Sequence, residues 1–346
     1  MFRVKARCTC GPRQPFVPTT IERRAPGPRD VHIAIAYAGI CQSDVEHARS
    51  TRGKTIYPLV PGHEMAGTVL AVGSEVTRHR VGDRVGVGNM VDACRRCDNC
   101  RAGLEQYCSG GRTLAYGAIG RDGQPTFGGY SEEVVVDEAF VVAIPDSIAL
   151  QNAAPLMCAG ITMYSPLRHW GAGPGKRVAI LGFGGLGHVG VQISRALGAH
   201  TTVLDLTPAK REDALRLGAD DYRLSNEPDT FTALDSSFDI VVSTVPIHAD
   251  LDRYLGLLAL DGVYVNLAVP AVPLSVPAAA LLTNRRSIAG TRSGGIAETQ
   301  QMLDFCAEHG IAAEVEVIAA DDIDAAYRRL LAGDVRFRFV IDNQTL

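Results

Sequence analysis

Two hydrophobic rhythms divide the chain. Over residues 1–150, short β-branched runs recur between turn signals. They include Val31-His32-Ile33-Ala34-Ile35, Gly67-Thr68-Val69-Leu70-Ala71-Val72, Arg84-Val85-Gly86-Val87-Gly88 and Glu133-Val134-Val135-Val136. Gly and Asp punctuate them, as at Gly82-Asp83. That spacing predicts a β-rich region folded as a small antiparallel barrel. From Gly175 the rhythm changes to strands alternating with helices. Arg177–Leu181 reads as a buried strand, and a helix over 188–197 places Val189, Ile193 and Leu197 on one face. A second strand is expected over Thr201–Leu206, then a helix capped by Thr207 with Pro208 in its first turn. Further strands are expected at 239–245, 263–268 and 286–290. Repeated βαβ units predict a parallel, doubly wound sheet, so the fold class is α/β. Beyond Thr291 the pattern gives an amphipathic helix over 298–309 and a last strand over 336–341.

Composition narrows the function classes. At 346 residues the chain exceeds one ordinary core and predicts two domains. Hydrophobic residues at 46% and charged residues at 21% are those of a globular protein. A formal net charge of −4 gives no pull toward nucleic acid or an anionic membrane. The best apolar run, 263–282, is broken by Asn266, Pro270, Pro273 and Pro277, so no membrane span is expected. Nine Cys behind an N-terminus without an apolar leader lead to the expectation of a cytoplasmic protein that uses thiols or metals.

The Cys pattern is specific. Cys94, Cys97, Cys100 and Cys108 follow C-x2-C-x2-C-x7-C. Four thiolates closing in one loop suit a tetrahedral structural zinc that has no open position. Two disulfides are the first competing reading, but such frameworks belong to small secreted domains. An iron–sulfur cluster is the second; its usual runs place Pro after the last Cys, whereas Ser109 stands here. A closed site catalyses nothing, so the chemistry lies elsewhere.

Gly182-Phe183-Gly184-Gly185-Leu186-Gly187 is a G-x-G-x-x-G sequence between a strand and a helix. In that setting it is the dinucleotide fingerprint. Gly182 allows the turn, Gly184 admits the pyrophosphate, and Gly187 lets the helix pack on the strand. Asp205, 18 residues past Gly187, ends the next strand, where a carboxylate accepts hydrogen bonds from an adenosine ribose and repels a 2′-phosphate. The expectation is NAD. NADP stays open because Lys210 and Arg211 follow closely and can bind a phosphate.

Cys41, His63 with Glu64, and Cys158 have donor types for a second metal, but their spacing alone does not join them. The sequence resembles the zinc-dependent medium-chain alcohol dehydrogenases, and within them the cinnamyl-alcohol-dehydrogenase-like branch. The marks are GICQSD (39–44), PGHE (61–64), the four-Cys lobe, APLMCAGIT (154–162), GFGGLG (182–187) and ETQQMLDFCAEHGI (298–311). The resemblance covers nearly the whole chain. It implies a GroES-like barrel catalytic domain over 1–159 and 290–346, with a Rossmann domain over 160–289 between. It implies two zinc ions per chain, one in the four-Cys lobe and a catalytic one on Cys41, His63 and Cys158. Glu64 would approach the metal during ligand exchange, Asp44 would orient His63, and Ser43 would carry the alcohol proton outward. Thr162, Gly185, Leu186 and Lys210 would join the cofactor site. The implied reaction is hydride transfer between a nicotinamide and a primary, aromatic or allylic, alcohol or aldehyde, in a homodimer or homotetramer.

Three positions depart from the family. The relay His, five residues after the first zinc Cys, is Glu46 here, and His47 follows. Glu46 takes the terminal proton role, or Ser43 passes it to ribose and water. Arg292 replaces an apolar pocket residue; it serves an anionic substrate group or lies at a surface or subunit interface. The segment 109–129, which borders the pocket in relatives, is short and holds Tyr116 and Phe127 as its aromatics, Tyr116 being the expected pocket residue. Two rival functions remain: reduction of activated C=C or iminium groups on the same scaffold, and a non-enzymatic NAD-binding role. The intact open metal set argues against both.

Overall fold

The computed structural model describes residues 1–51, 53–246, 250–270 and 272–346. Two compact units emerge, one formed by Met1–Ile161 with Gly294–Leu346, the other by Thr162–Ser293.

The first unit is organised by one long strand, Asp30–Ile40. Its residues pair antiparallel with Met65–Val72, with Glu133–Asp137 and with Arg338–Asp342. Arg84–Val87 extends the sheet on Met65–Val72, and Val142–Ala143 follows on Arg84–Val87. Among the described residues one pair in this unit is parallel. Val315–Ala319 runs alongside Arg338–Asp342, because the helix Ile323–Leu331 provides a crossover between them. A separate pair, Phe2–Cys8 with Val17–Arg23, was not legible in the hydrophobic pattern. Ile40, Val60, Tyr116, Tyr130, Tyr327 and Phe339 share one core; Ile33, Met65, Val85 and Phe140 belong to a second.

The second unit is a six-stranded, all-parallel sheet. In spatial order its strands are Asp221–Leu224, His200–Asp205, Arg177–Leu181, Phe238–Ser243, Leu258–Asn266 and Ser287–Gly290. The chain order reverses at Arg177–Leu181, the switch point at which such sheets bind ligands. The helix expected from 188 spans Gly187–Ala196. Thr207 does not cap through its side chain. A 3-10 turn, Pro208–Lys210, intervenes before the helix Arg211–Leu217.

Candidate metal centres and cofactor loop

Cys41 ends the organising strand and is the N-cap of the helix Gln42–Ala48. Its own N–H donates to Asp44 Oδ2 at 2.8 Å. His63 stands in the turn before Met65–Val72. There Gly62 has φ +103, and a Cβ on it would lie 2.7 Å from the Tyr130 ring and 2.8 Å from the Gly129 nitrogen. Only glycine allows that turn. Cys158 follows the 3-10 turn Ala154–Met157.

These segments meet. One ligand atom each from Cys41, His63, Glu64 and Cys158 lie within 4.8 Å of one another, and the two sulfurs are 3.9 Å apart. Buried Asp44 accepts from His63 Nδ1 at 3.0 Å and from Gly62 N–H at 3.2 Å, which leaves Nε2 as the ring nitrogen available to a cation. Cys41 is held well below the usual thiol range, first by the hydrogen bond from Cys158 and then by His63 and Arg338, against the cost of burial. Cys158 is pushed well above it by that same bond to Cys41 and by burial. Glu64 is fully buried, and its Oε2 has no hydrogen-bond partner. Burial raises Glu64, and the Arg338 guanidinium pulls it back down. Two sulfurs, one imidazole and an unspent carboxylate oxygen fit zinc with an open corner.

The second cluster has sulfur donors alone. Cys94, Cys97, Cys100 and Cys108 place their sulfurs within 4.8 Å of one another. N–H groups of Cys94 and Cys97 donate to Cys108 Sγ (3.3 Å) and Cys94 Sγ (3.4 Å). The Cys100 N–H and the Ser109 hydroxyl and N–H hold Cys97 down at about 5. Burial pushes Cys100 up to about 12. Arg95 fastens the lobe to the core, 2.9 Å from Asp137 and 5.2 Å above the Phe140 ring. Glu105 accepts the Ile296 N–H at the start of the helix Ile296–His309 (3.1 Å).

Ser43, Glu46 and His47 occupy one helix face, three and four residues apart, and all are half-buried. His47 Nδ1 is 2.9 Å from the Ser43 carbonyl and 3.5 Å from the Tyr116 hydroxyl. Tyr116 is 4% exposed, with its ring 5.9 Å from that of His63, so it packs beside that donor set. Phe127 packs against the core, and Arg292 is exposed, next to Ser293 at φ +53.

The glycine loop joins Arg177–Leu181 to the helix Gly187–Ala196. Gly182 has φ +89, and a Cβ on Gly187 would lie 2.1 Å from the Gly182 carbonyl oxygen. A Cβ on Gly184 would meet nothing within 4 Å. That open concavity at a helix N-terminus fits a pyrophosphate. Gly185, Leu186 and Thr162 are half-buried. Asp205 accepts from Phe183 N–H at 2.9 Å and from Leu206 N–H at 2.6 Å, so the carboxylate is fixed at the loop. Lys210 is half-buried, and Arg211 stacks over Tyr222 at 5.9 Å.

Sequence reasoning missed Arg338, which forms a buried ion pair with Glu64. The available signal was an Arg inside the strand motif Arg336-Phe337-Arg338-Phe339-Val340.

Residues 27–146 match the alcohol dehydrogenase GroES-like domain, and residues 185–308 match the zinc-binding dehydrogenase family. The chain is 56% identical to an NADP-dependent alcohol dehydrogenase C of Mycolicibacterium smegmatis over 100% of this chain and 99% of the relative. It is 49% identical to an aldehyde reductase of Escherichia coli over 100% of this chain and 99% of that one. A solved cinnamyl alcohol dehydrogenase from Sorghum bicolor superposes with a TM-score of 0.96 at 38% identity, covering 99% of this chain and 98% of that one.

Proposed function

The chain belongs to the zinc-dependent medium-chain alcohol dehydrogenase family, in its cinnamyl-alcohol-dehydrogenase-like branch, and from that premise we propose that it oxidises primary aromatic or allylic alcohols, and reduces their aldehydes, with NAD(H). Alcohol–aldehyde oxidoreduction with a nicotinamide cofactor is the reaction of the family. The observation that carries the reading is the gathering of buried Cys41, His63 and Glu64 with half-buried Cys158 into one donor set.

In this reading Cys41, His63 and Cys158 hold a catalytic zinc, and Cys94, Cys97, Cys100 and Cys108 hold a structural one, two per chain. When bound, the catalytic ion supplies Lewis acidity that lets the alcohol proton leave near neutral pH. The nicotinamide supplies or accepts the hydride. The protein does the rest. Asp44 fixes the His63 ring and its tautomer through the 3.0 Å bond to Nδ1. Ser43 takes the proton from the alcohol oxygen, and Glu46 and His47, further along the same helix face, receive it. Glu64 would offer Oε2 to the bound ion, and its Oε1 accepts from Arg338. Gly182, Gly184 and Gly187 with the following N–H groups bind the pyrophosphate, beside Gly185, Leu186 and Thr162. Asp205 selects the 2′-hydroxyl over a 2′-phosphate, so NAD(H) is favoured even though the Mycolicibacterium relative is NADP-dependent. Arg292, exposed ahead of Ser293, would greet an anionic substrate group.

Ser287–Gly290 is one of the two edges of the parallel sheet, and pairing there would give a homodimer or a dimer of dimers. Reduced thiols at both clusters suit the cytoplasm. No helix of the described residues is long and apolar enough to cross a membrane.

The test is a kinetic screen of benzylic, allylic and aliphatic alcohols and aldehydes with NAD(H) and NADP(H) side by side. The expected result is turnover with higher kcat/KM for aromatic substrates and for NAD(H). A large NADP(H) preference overturns the role given to Asp205. Absence of turnover overturns the function.

A further inference from the structure

Asp205 closes the strand His200–Asp205, and the three residues after it, Leu206, Thr207 and Pro208, are all exposed. Leu206 is 65% exposed, an apolar side chain left bare beside the carboxylate that the dinucleotide reading gives to the ribose. A turn in such a place binds better when it is already ordered, because the ligand then loses less of its affinity to ordering the chain.

The neighbouring edge strand supplies that order. Asp221–Leu224 runs parallel to His200–Asp205 and sets Tyr222 opposite Val203. Tyr222 is fully buried, and its hydroxyl donates to the Thr207 carbonyl at 2.5 Å. Ser225, just past the strand, donates its N–H to the Asp205 carbonyl at 2.8 Å and its hydroxyl to the same oxygen at 3.3 Å. The backbone is therefore tied on both sides of Leu206, at Asp205 by Ser225 and at Thr207 by Tyr222. Burial first, and the charge of Asp205 second, push Tyr222 up to about 12, so the hydroxyl keeps its proton and stays a donor at neutral pH. Strand pairing does not need that hydroxyl, since the ladder uses backbone groups alone. The Arg211 guanidinium, 5.9 Å above the ring, needs only the ring.

We propose that Tyr222 is a positioning residue for the cofactor. By holding the Thr207 carbonyl it fixes the turn that presents Asp205 and Leu206 to the adenosine half of a nicotinamide dinucleotide. Without the hydroxyl, the ligand itself has to order the turn, and its affinity falls. This role goes beyond the dehydrogenase reading and rests on its dinucleotide site.

The experiment measures ADP-ribose binding to the whole protein by calorimetry, for the wild type and Tyr222→Phe, with NAD kinetics and thermal melts alongside. ADP-ribose carries the adenosine half and takes no part in hydride transfer, so its Kd reports the site apart from catalysis. Tyr222→Phe is expected to raise the Kd about threefold to tenfold. The KM for NAD is expected to rise by a similar factor, with kcat within about twofold of wild type. A lowered Tm with Kd and KM unchanged overturns the inference, because the hydroxyl then serves folding alone. A fall in kcat with unchanged KM and Kd overturns it as well. If the wild type binds no ADP-ribose, the dinucleotide reading fails and this inference with it; if it binds and the variant binds equally, this inference alone fails. Should Tyr222→Phe not fold, Thr207→Gly carries the test at an exposed position: it loosens the same turn from the other side of the hydrogen bond, and the Kd is expected to rise in the same direction.

Discussion

Arg338 and Glu64 form an ion pair in the core of the first unit, with side chains 4% and 0% exposed, beside the sulfurs of Cys41 and Cys158. A guanidinium shut away from water is tolerable only next to negative charge. Here that charge comes from Glu64 first and from both thiols after it, and it holds Arg338 above its ordinary range against the cost of burial. The pair therefore belongs to the electrostatics of the Cys41 and Cys158 thiols and is more than a structural clip.

Removing one partner leaves a buried charge without compensation. Arg338→Met is expected to cost about 3–5 kcal/mol and to lower metal retention. The double variant Arg338→Met with Glu64→Gln is expected to cost less than the sum of the single variants. Calorimetric unfolding of the four proteins checks this. Additive costs would show that the pair contributes nothing beyond packing.

Two glycines in the cofactor loop separate folding from binding. Gly187→Ala drives a Cβ into the Gly182 carbonyl at 2.1 Å and is expected to lower Tm and abolish cofactor binding together. Gly184→Ala meets nothing within 4 Å, so Tm is expected to stay unchanged while cofactor Kd rises at least about tenfold. Thermal melts with and without cofactor distinguish the two. A silent Gly184→Ala would show that no pyrophosphate lies there.

Glu138 makes one part of stability acid-sensitive. Burial alone would raise its pKa, but the N–H groups of Thr77 and Arg78, at 3.0 and 3.1 Å, together with the Arg78 guanidinium, hold it below the ordinary carboxylate value. The folded value lies below the unfolded one. Its stabilisation is therefore present at neutral pH and is lost as pH falls through the folded value. Glu138→Gln is expected to lower Tm by about 2–4 °C at pH 7 and to narrow that gap below pH 4. A gap that stays constant with pH would contradict this account.

Much of the second unit was legible because its central strands, Arg177–Leu181, His200–Asp205 and Phe238–Ser243, are buried almost throughout and read as near-continuous apolar runs. Leu258–Asn266 begins before the run expected at 263, since its first residues, Ala259, Leu260 and Asp261, are half-exposed or exposed. Asp221–Leu224 escaped notice because four mixed residues at a sheet edge carry no period. The glycine loop and the four-Cys lobe were legible because their residues are close in sequence. Cys41 and Cys158 are 117 residues apart, and no local rule joins them. The resemblance supplied that link, and the structure brings the sulfurs to 3.9 Å. Arg338 was hidden for a related reason. Arg338 to Ile341 are all buried, so alternation along that strand gives no sign of which way the charge faces.

The direct test is anomalous scattering at the zinc edge from crystals of the purified protein. Two peaks per chain are expected. One lies about 2.3 Å from the sulfurs of Cys41 and Cys158 and about 2.0–2.1 Å from a nitrogen of His63, and the other lies at the centre of Cys94, Cys97, Cys100 and Cys108. A single peak in the four-Cys lobe, with Cys41, His63 and Cys158 gathered around no metal, would contradict the account.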